Sequence, residues 1–156
     1  MLGRETKLKN LLAPLREEYS YILLDCPPTL TMLTVNALVA ADSVLIPCQA
    51  QHLSTAGLVE LLKTVNMVRQ QKINPALEIE GVLMTMYDER TNMSRNTAQA
   101  VREAYAEHIR IFDSMIPMSV RASEATCEGV SIFRHDPKGK IAAAYGEFIK
   151  ELINDA

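Results

Sequence analysis

An acidic side chain directly follows a short apolar run near the start of the chain. Residues 21–24 read Tyr-Ile-Leu-Leu, and Asp25 comes next, followed by Cys26 and two prolines. Four consecutive apolar residues are typical of a strand that is buried on both faces of a parallel sheet. Proline ends such a strand because it has no N–H to donate. Ligands of open α/β sheets bind at the carboxyl ends of the strands. The pattern therefore predicts that Asp25 lies at a ligand-binding edge.

A carboxylate at that edge has two possible roles. It can hold a magnesium ion or its water, or orient an attacking water, beside a phosphate chain. It can equally cap the helix that follows, since aspartate is a favoured N-cap residue. The pattern alone does not separate these two roles of Asp25, and both stay open at this point.

Composition limits the classes of protein that fit. The chain has 156 residues, enough for one domain with a sizeable core, and its formal net charge of -3 gives no overall basic field for nucleic acid. Its three cysteines form no CxxC pair and no zinc spacing, which favours free thiols in a cytosolic protein. No apolar run is long enough to span a bilayer, and no signal peptide opens the chain, so we expect no membrane association.

Strand and helix patterns alternate along the sequence. Short apolar runs predict four strands, at residues 21–24, 43–46, 79–86 and 111–116. Apolar residues at helical spacing predict five helices, at residues 6–18, 30–40, 54–72, 94–108 and 141–152. Pro14 should kink or shorten the first helix, Pro47 should close the second strand, and residues 119–140 should be mostly irregular around one short helix. Long crossovers between strands predict a parallel, doubly wound α/β sheet with flanking helices, in a single domain of residues 1–156.

One part of a nucleotide-hydrolysing site has no counterpart in the sequence. Such sites hold phosphate in a glycine-rich loop whose lysine enters a helix. The only Gly-Lys pair is Gly139 with Lys140, where Arg134 replaces the first loop glycine and Ile141 replaces the metal-binding Ser or Thr. The sequence therefore holds an acid placed for phosphate chemistry without a backbone cradle for the phosphate.

Five blocks of sequence carry a specific resemblance. They are residues 25–30 (DCPPTL), 33–38 (LTVNAL), 42–47 (DSVLIP), 80–92 (EGVLMTMYDERTN) and 116–125 (IPMSVRASEA). In this order and with these gaps they resemble the ParA/Soj-type ATPases that partition chromosomes and plasmids, a deviant P-loop group related to MinD. The resemblance extends from about residue 17 to residue 153.

The resemblance implies a P-loop NTPase-like fold that binds ATP with Mg²⁺, forms a nucleotide-sandwich dimer and binds DNA without sequence preference. It also implies a ParB-like centromere-binding partner that stimulates hydrolysis, and a cytoplasmic, nucleoid-associated location. The match begins after the place where the family carries its lysine-rich phosphate loop. We therefore expect the chain to be the carboxyl-terminal portion of such an ATPase, with a sheet that is incomplete on its N-terminal side. On its own it is expected to bind no nucleotide and to hydrolyse no ATP.

The resemblance also assigns roles to single residues. Asp25 matches the family's acid near the hydrolytic water, where it would contact magnesium indirectly through water. Thr85 and Met86 match a strand end that approaches the adenine base, and Pro117 and Met118 match the segment that lines the adenine pocket. The alternative for the two methionines is ordinary packing in the core or on the surface.

Arg90 and Arg121 match arginines of the family's DNA-binding surface. From Arg90 to Lys140 there are eight Lys or Arg residues against six Asp or Glu residues. Phosphate contacts need such cations on one face. The alternative is that both are solvated loop arginines. We expect DNA contacts in the assembled family protein and solvated arginines in this chain alone, because the family builds its DNA surface across an ATP-held dimer.

Two functions from different classes follow. The first is the carboxyl-terminal portion of a ParA/Soj-like ATPase for chromosome or plasmid partitioning. The second is a non-catalytic interaction module that self-associates through the sheet edge left open by missing strands, because such edges pair with other chains. A fragment of a MinD-like cell-division regulator is a further alternative, which is disfavoured because no basic amphipathic helix for a membrane surface ends the sequence.

Overall fold

The computed structural model describes residues 3–27, 29–51 and 54–154. Pro28, the second proline after Asp25, lies outside these ranges. The helices of the described residues are α1 (Lys7–Leu12), α2 (Met32–Ala40), α3 (Ser54–Gln70), α4 (Asn92–Tyr105), α5 (Val120–Cys127), α6 (Ile132–His135) and α7 (Lys140–Asn154). The strands are β1 (Ser43–Gln49), β2 (Glu78–Tyr87) and β3 (Ile111–Pro117). Across these ranges, none of the helices combines the length and the apolar character that crossing a bilayer requires.

The three strands form one sheet in the order β1-β2-β3. Strands β2 and β3 are parallel, with Val82 opposite Ile111 and Met84 opposite Met115. A parallel pair needs a long crossover connection, and α4 supplies it between these two strands. Helix α7 packs against β3. The predicted α/β fold, a parallel sheet with flanking helices, is confirmed.

The chain divides into two compact units. Unit 1 comprises Met1–Val44 and Ala56–Glu80, and unit 2 comprises Leu45–Thr55 and Gly81–Ala156. Each unit has its own buried cluster of apolar side chains. The single domain of residues 1–156 stays a prediction.

The core of unit 1 joins α2 to α3. Its fully or almost fully buried members are Leu38, Val39, Val65, Val68 and Leu77. Burying one such side chain contributes roughly 1.5–3 kcal/mol, so this small cluster stabilises the contact between the two helices.

A buried amide closes the carboxyl end of α2. The Nδ2 group of Asn74 donates to the backbone oxygens of Leu38, at 2.9 Å, and Ala41, at 2.8 Å. Carbonyl groups at a helix end have no partner within the helix. One side chain therefore satisfies two acceptors that would otherwise be left unpaired.

The core of unit 2 is built around an aromatic pair. The rings of Phe112 and Phe148 meet edge to face, with centroids 5.1 Å apart and an interplanar angle of 86°. Gly81 makes room for this pair, because a Cβ atom there would lie 2.6 Å from Cε2 of Phe112. Its φ of 151° is also one that L-residues rarely adopt. The glycine is therefore required by both packing and backbone.

A carboxylate from α7 covers part of β3. The side chain of Glu151 accepts hydrogen bonds from the backbone N–H groups of Asp113, at 2.7 Å, and Ser114, at 2.9 Å. Burial alone would raise the pKa of Glu151, but the hydrogen bonds from Ser114 and Asp113 and the charge of Arg110 outweigh it and lower the pKa. Unpaired N–H groups on an edge strand attract other chains. Glu151 satisfies two of these groups on β3.

Residues 21–24 depart most from the predicted elements. They join no strand in the described part of the chain, so the predicted buried strand is wrong. Tyr21 and Leu23 are 76% and 92% exposed, whereas Ile22 and Leu24 are half-buried. A strand that is buried on both faces needs a hydrogen-bonded neighbour in its sheet. None of the three described strands takes that position beside this segment.

Three further predictions from the sequence can be compared with the structure. Strand β1 runs through Pro47 instead of ending at Ile46, because an edge strand tolerates a residue without an N–H. The stretch 119–140 holds two helices, α5 and α6, rather than one. The expected shortening at Pro14 is confirmed, since α1 gives way there to a 3₁₀ turn, Ala13–Glu17.

We expect Asn74→Ala to lower the free energy of unfolding by about 1–3 kcal/mol, because it leaves buried carbonyl groups without a donor. Urea unfolding followed by circular dichroism measures the change. Asn96→Ala is the matched control, since Asn96 is exposed on α4. Equal effects of the two substitutions would contradict the capping role of Asn74.

Candidate nucleotide and nucleic-acid sites

Asp25 lies in unit 1 on the wall of a cleft of about 640 Å³. Helices α1 and α2 and residues 23–27 supply its lining, most of which is apolar. The charged side chains of the lining are Arg4, Lys7 and Asp25 itself. Two cations and one carboxylate around an apolar cleft suit an anionic ligand that also has an apolar part.

A buried amide fixes the two helices of this cleft. Oδ1 of Asn36 in α2 accepts from the backbone N–H of Leu8 in α1, at 3.3 Å, and Nδ2 donates to the backbone oxygen of Met32, at 2.9 Å. The N–H of Leu8 belongs to the first turn of α1, where donors have no partner within the helix. Asn36 therefore positions α1, the helix that carries Lys7.

The helix-capping role that the sequence left open for Asp25 is not seen in the structure. Helix α2 begins at Met32, and its N-cap is Thr31. The hydroxyl group of Thr34 donates to the backbone oxygen of Thr29, at 2.6 Å, and orders the entry into this helix. Asp25 remains an exposed carboxylate on the cleft.

The thiol beside Asp25 is a weak nucleophile. Partial burial raises the pKa of the Cys26 thiol, and the negative charge of Asp25 raises it further. Its Sγ donates to the backbone oxygen of Leu24, at 3.6 Å. Because the thiolate is the reactive form, the exposed Cys26 is poorly suited to covalent chemistry.

A magnesium ion in this cleft would find few protein ligands. In residues 3–27, 29–51 and 54–154, no group of three or more His, Cys, Asp or Glu side chains is arranged to hold a metal. Magnesium usually keeps several waters and binds one or two carboxylates together with substrate phosphates. Asp25, the one carboxylate in the described lining of the cleft, fits such a nucleotide-bound ion. The cleft does not fit a metal centre made of protein ligands alone.

Unit 2 brings the four predicted base-contacting residues together. Thr85 and Met86 lie near the end of β2, Pro117 ends β3, and Met118 follows it. The strands are parallel, with Tyr87 opposite Pro117, and the N–H of Met118 donates to the backbone oxygen of Tyr87, at 3.0 Å. These residues therefore share the carboxyl edge of the sheet, where ligands of α/β proteins bind.

Both methionines at this edge are exposed to solvent. Met86 and Met118 are 49% and 60% exposed, which excludes core packing as their role. Met86 also has a φ of 49°, in the left-handed region that residues with a Cβ atom seldom adopt. Thr85 is held in place by its backbone oxygen, which accepts from the N–H of Ala50 at 3.2 Å. Exposed thioethers at a ligand edge can pack against a flat ring.

Arg90 forms a two-point ion pair with Asp88 in the loop after β2. Its Nε lies 2.9 Å from Oδ1 and its Nη2 lies 3.0 Å from Oδ2. The hydrogen bonds from Arg90 hold the pKa of Asp88 below its usual range. The pair is exposed, so it adds little to stability. However, Asp88 occupies Nε–H and Nη2–H of Arg90, two donors that could otherwise bind a phosphate group.

Arg121 belongs to a charged network that joins α5 to α6. Its Nη1 lies 2.9 Å from Oε2 of Glu124, the same oxygen lies 3.4 Å from Nε2 of His135, and Nδ1 of His135 lies 2.9 Å from Oε2 of Glu128. The hydrogen bond to Glu128 raises the pKa of His135; burial opposes this, and Glu124 adds to the rise. Arg121 and His135 lower the pKa of Glu124.

Sequence reasoning picked out Arg90 and Arg121 but missed their carboxylate partners. Glu124 follows Arg121 at helical i,i+3 spacing, a signal that was available in the sequence. Asp88 lies two residues from Arg90 in a loop, and only the loop conformation brings the two together. Both arginines are therefore paired with a carboxylate in this chain.

The fold has a counterpart among solved structures. The cobyrinic acid a,c-diamide synthase of Mycobacterium smegmatis, solved with bound ADP and magnesium, superposes with a TM-score of 0.76 at 35% sequence identity. The similarity covers 95% of this chain and 52% of that one. The structure thus has the fold of a P-loop-type ATPase.

Comparison with known sequences identifies a family and its relatives. The model of the AAA domain family matches residues 1–79. The sporulation initiation inhibitor protein Soj of Bacillus subtilis is 41% identical over 151 residues, which are 97% of this chain and 58% of Soj. The chromosome partitioning protein ParA of Myxococcus xanthus is 41% identical over 151 residues, 97% of this chain and 52% of ParA. The chain therefore belongs to the AAA domain family, and its sequence is similar to the Soj and ParA proteins. It spans a little over half the length of these two relatives.

We expect His135 to titrate above its ordinary value of about 6.5, because Glu128 and Glu124 stabilise the protonated ring. Its stabilisation of the α5–α6 contact is then fully present below pH 6.5 and is lost as the pH rises through the raised pKa of His135. NMR titration of the imidazole measures the midpoint. Glu128→Gln should lower it, and Glu103→Gln on α4 is the control. An unchanged midpoint of His135 in Glu128→Gln would contradict the network of Arg121, Glu124, His135 and Glu128.

Proposed function

We propose that the chain supplies part of a chromosome- or plasmid-partitioning ATPase, including its water-positioning acid and its DNA-contacting arginines. The observation that carries the proposal is the 41% identity to Soj over 97% of the chain. Two positions support it: Asp25 lies on the cleft of unit 1, and Thr85 and Pro117 lie at the carboxyl edge of the sheet in unit 2.

Asp25 is the residue proposed for the phosphate end of a nucleotide. ATP with magnesium, when bound, supplies the phosphate oxygens and the bond to be hydrolysed. An exposed carboxylate on the cleft of unit 1 can hold a water of the ion in place. Thr85, Met86, Pro117 and Met118 are proposed to contact the base, as exposed and half-buried groups at the carboxyl edge in unit 2.

The chain on its own is proposed to lack ATP turnover. Hydrolysis of a phosphoanhydride depends on donors that cradle the phosphates and neutralise the developing charge. The sequence contains no glycine-rich loop with a lysine at helix entry. Asp25 can position water, but a carboxylate cannot donate hydrogen bonds to the phosphates or neutralise their negative charge.

DNA contacts are proposed for Arg90 and Arg121 in the assembled ATPase, together with a ParB-like partner, a dimer and a nucleoid-associated location. Both side chains are exposed on the surface of unit 2. Their pairing with Asp88 and Glu124 means that DNA phosphates must compete with a carboxylate for each guanidinium. Binding by this chain alone should therefore be weak.

A second candidate function is a self-associating interaction module. The observation that favours it is the exposure of Tyr21 and Leu23, two large apolar side chains that a solvated surface rarely presents together. Sedimentation of the purified chain tests it: concentration-dependent association supports the module, and a monomer at high concentration contradicts it.

We expect weak binding of random-sequence duplex DNA that falls steeply between about 50 mM and about 200 mM salt. Arg90→Ala and Arg121→Ala should each weaken it and reduce the slope of log K against log salt by about one. Asp88→Asn and Glu124→Gln should strengthen it, because they release the guanidinium groups. Fluorescence anisotropy measures all four.

Lys63→Ala is the matched control, because Lys63 is an exposed cation of unit 1 that also pairs with a carboxylate, that of Glu60. Binding that responds equally to Lys63→Ala and to the arginine variants would reflect overall charge and contradict a defined surface. Weakened binding in Asp88→Asn would contradict the competition between carboxylate and phosphate.

A further inference from the structure

One carboxylate oxygen in unit 2 faces two basic side chains. Oε2 of Glu124 lies 2.9 Å from Nη1 of Arg121 and 3.4 Å from Nε2 of His135. Arg121 and Glu124 both belong to α5, whereas His135 reaches the same oxygen from the end of α6. The guanidinium proposed to contact DNA is therefore held by a carboxylate that also lies beside a titratable ring.

His135 is the most enclosed side chain of this network. It is 13% exposed, whereas Arg121 and Glu124 are 63% and 43% exposed. Both ring nitrogens face a carboxylate, because Nδ1 lies 2.9 Å from Oε2 of Glu128. The ring is therefore fixed between two carboxylates of α5, while the guanidinium lies at the surface, where a phosphate group can reach it.

The protonation state of the ring decides what Nε2 offers to Glu124. A neutral imidazole carries one N–H group, and the shorter distance to Glu128 favours its position on Nδ1. Nε2 then directs a lone pair at a carboxylate oxygen, so the two do not bond and Glu124 is left to Arg121. The protonated ring has an N–H group on each nitrogen and donates to both carboxylates.

Protonation of His135 weakens the attraction between Glu124 and Arg121. The negative charge of the carboxylate is then shared between two cations, which also repel each other. An exposed ion pair contributes little to stability, so a modest change shifts the guanidinium toward a competing anion. A phosphate group would meet a guanidinium that is held less firmly and a second positive charge on α6.

The charged groups around the ring act in the same direction. Helix α6 contacts α5 and α7. The hydrogen bond to Glu128 is the largest influence that raises the pKa of His135; burial opposes it, and Glu124 adds to the rise. Lys140 opens α7 and Asp136 follows His135 in the chain. The hydrogen bonds and charges that shift the pKa of the ring are those of the two glutamates.

We propose, on the basis of the DNA-contacting role proposed for Arg121, that His135 is a positioning residue that releases Arg121 toward a nucleic-acid phosphate when its ring is protonated. Binding of duplex DNA should then be tighter below the titration midpoint of His135 and weaken as the pH rises through it. Glu128 sets this midpoint, because it holds Nδ1 of the ring.

Fluorescence anisotropy of random-sequence duplex DNA with the full chain, at constant ionic strength between about pH 5.5 and about pH 8.5, tests this coupling. We expect the affinity to rise about threefold as His135 becomes protonated, which corresponds to a weak exposed ion pair. His135→Gln should remove the rise and keep the affinity of the high-pH state. Arg121→Ala should largely remove it as well, because no guanidinium remains to be released.

Two matched variants serve as controls. His108→Gln removes an exposed histidine of unit 2 that lies outside the network, and it should keep the rise. Arg90→Ala should weaken binding at every pH and also keep the rise. Circular dichroism shows that each variant is folded. A rise of unchanged size in His135→Gln or Arg121→Ala, or its loss in His108→Gln, would overturn the inference.

A measurement without DNA separates this inference from the proposed function. In the full chain alone, the NMR signals of the Arg121 guanidinium should move with the same midpoint as the imidazole of His135, and Glu128→Gln should lower both midpoints together. Arg121 signals that do not respond to the titration of His135 would overturn the inference even if DNA is bound. Coupled signals in a chain that binds no DNA would support the control of Arg121 by His135 and overturn only the proposed function.

Discussion

The hydrogen-bonding requirement of one apolar segment governs the rest of this structure. Residues 21–24 have the composition of an inner strand, yet their backbone groups find no strand partner in the described part of the chain. The position of Asp25 depends on this segment, because the carboxylate comes directly after it on the cleft of unit 1. A carboxylate can hold a magnesium-bound water only if the backbone that carries it is fixed.

The two units contribute different parts of the proposed function. Unit 1 carries Asp25 on a mainly apolar cleft, where the amide of Asn36 links α1 to α2; Asn74 closes the other end of α2. Unit 2 carries exposed methionines and paired arginines at the carboxyl edge of β2 and β3. Pairing with carboxylates lowers the attraction of these arginines for phosphate without removing their donors, so the DNA binding proposed for them would be tuned by competition.

The sequence predicted strands and helices well where the side chains that pack against them are among the described residues. Strands β2 and β3 and helix α7 were found because Phe112, Ile116 and Phe148 bury one another, and their spacing records that packing. The resemblance in five blocks also located the carboxyl edge that holds Thr85 and Pro117. The spacing of apolar residues and the five blocks were enough to predict these features.

Other features depend on contacts that no short pattern encodes. The apolar run 21–24 predicts burial, but burial on both faces requires a neighbouring strand, and none of the described strands lies beside this run. Pro47 predicts a strand end, yet it is tolerated because β1 is an edge strand. The pairing of Arg90 with Asp88 follows from a loop conformation, which residue types alone do not determine.

Calorimetric titration of magnesium-ATP into the purified chain tests the central claim most directly. Because the sequence contains no glycine-rich loop with a lysine at helix entry to cradle phosphates, the chain alone should give no binding heat. Micromolar binding by the chain alone would show that it holds a complete nucleotide site and would contradict the account.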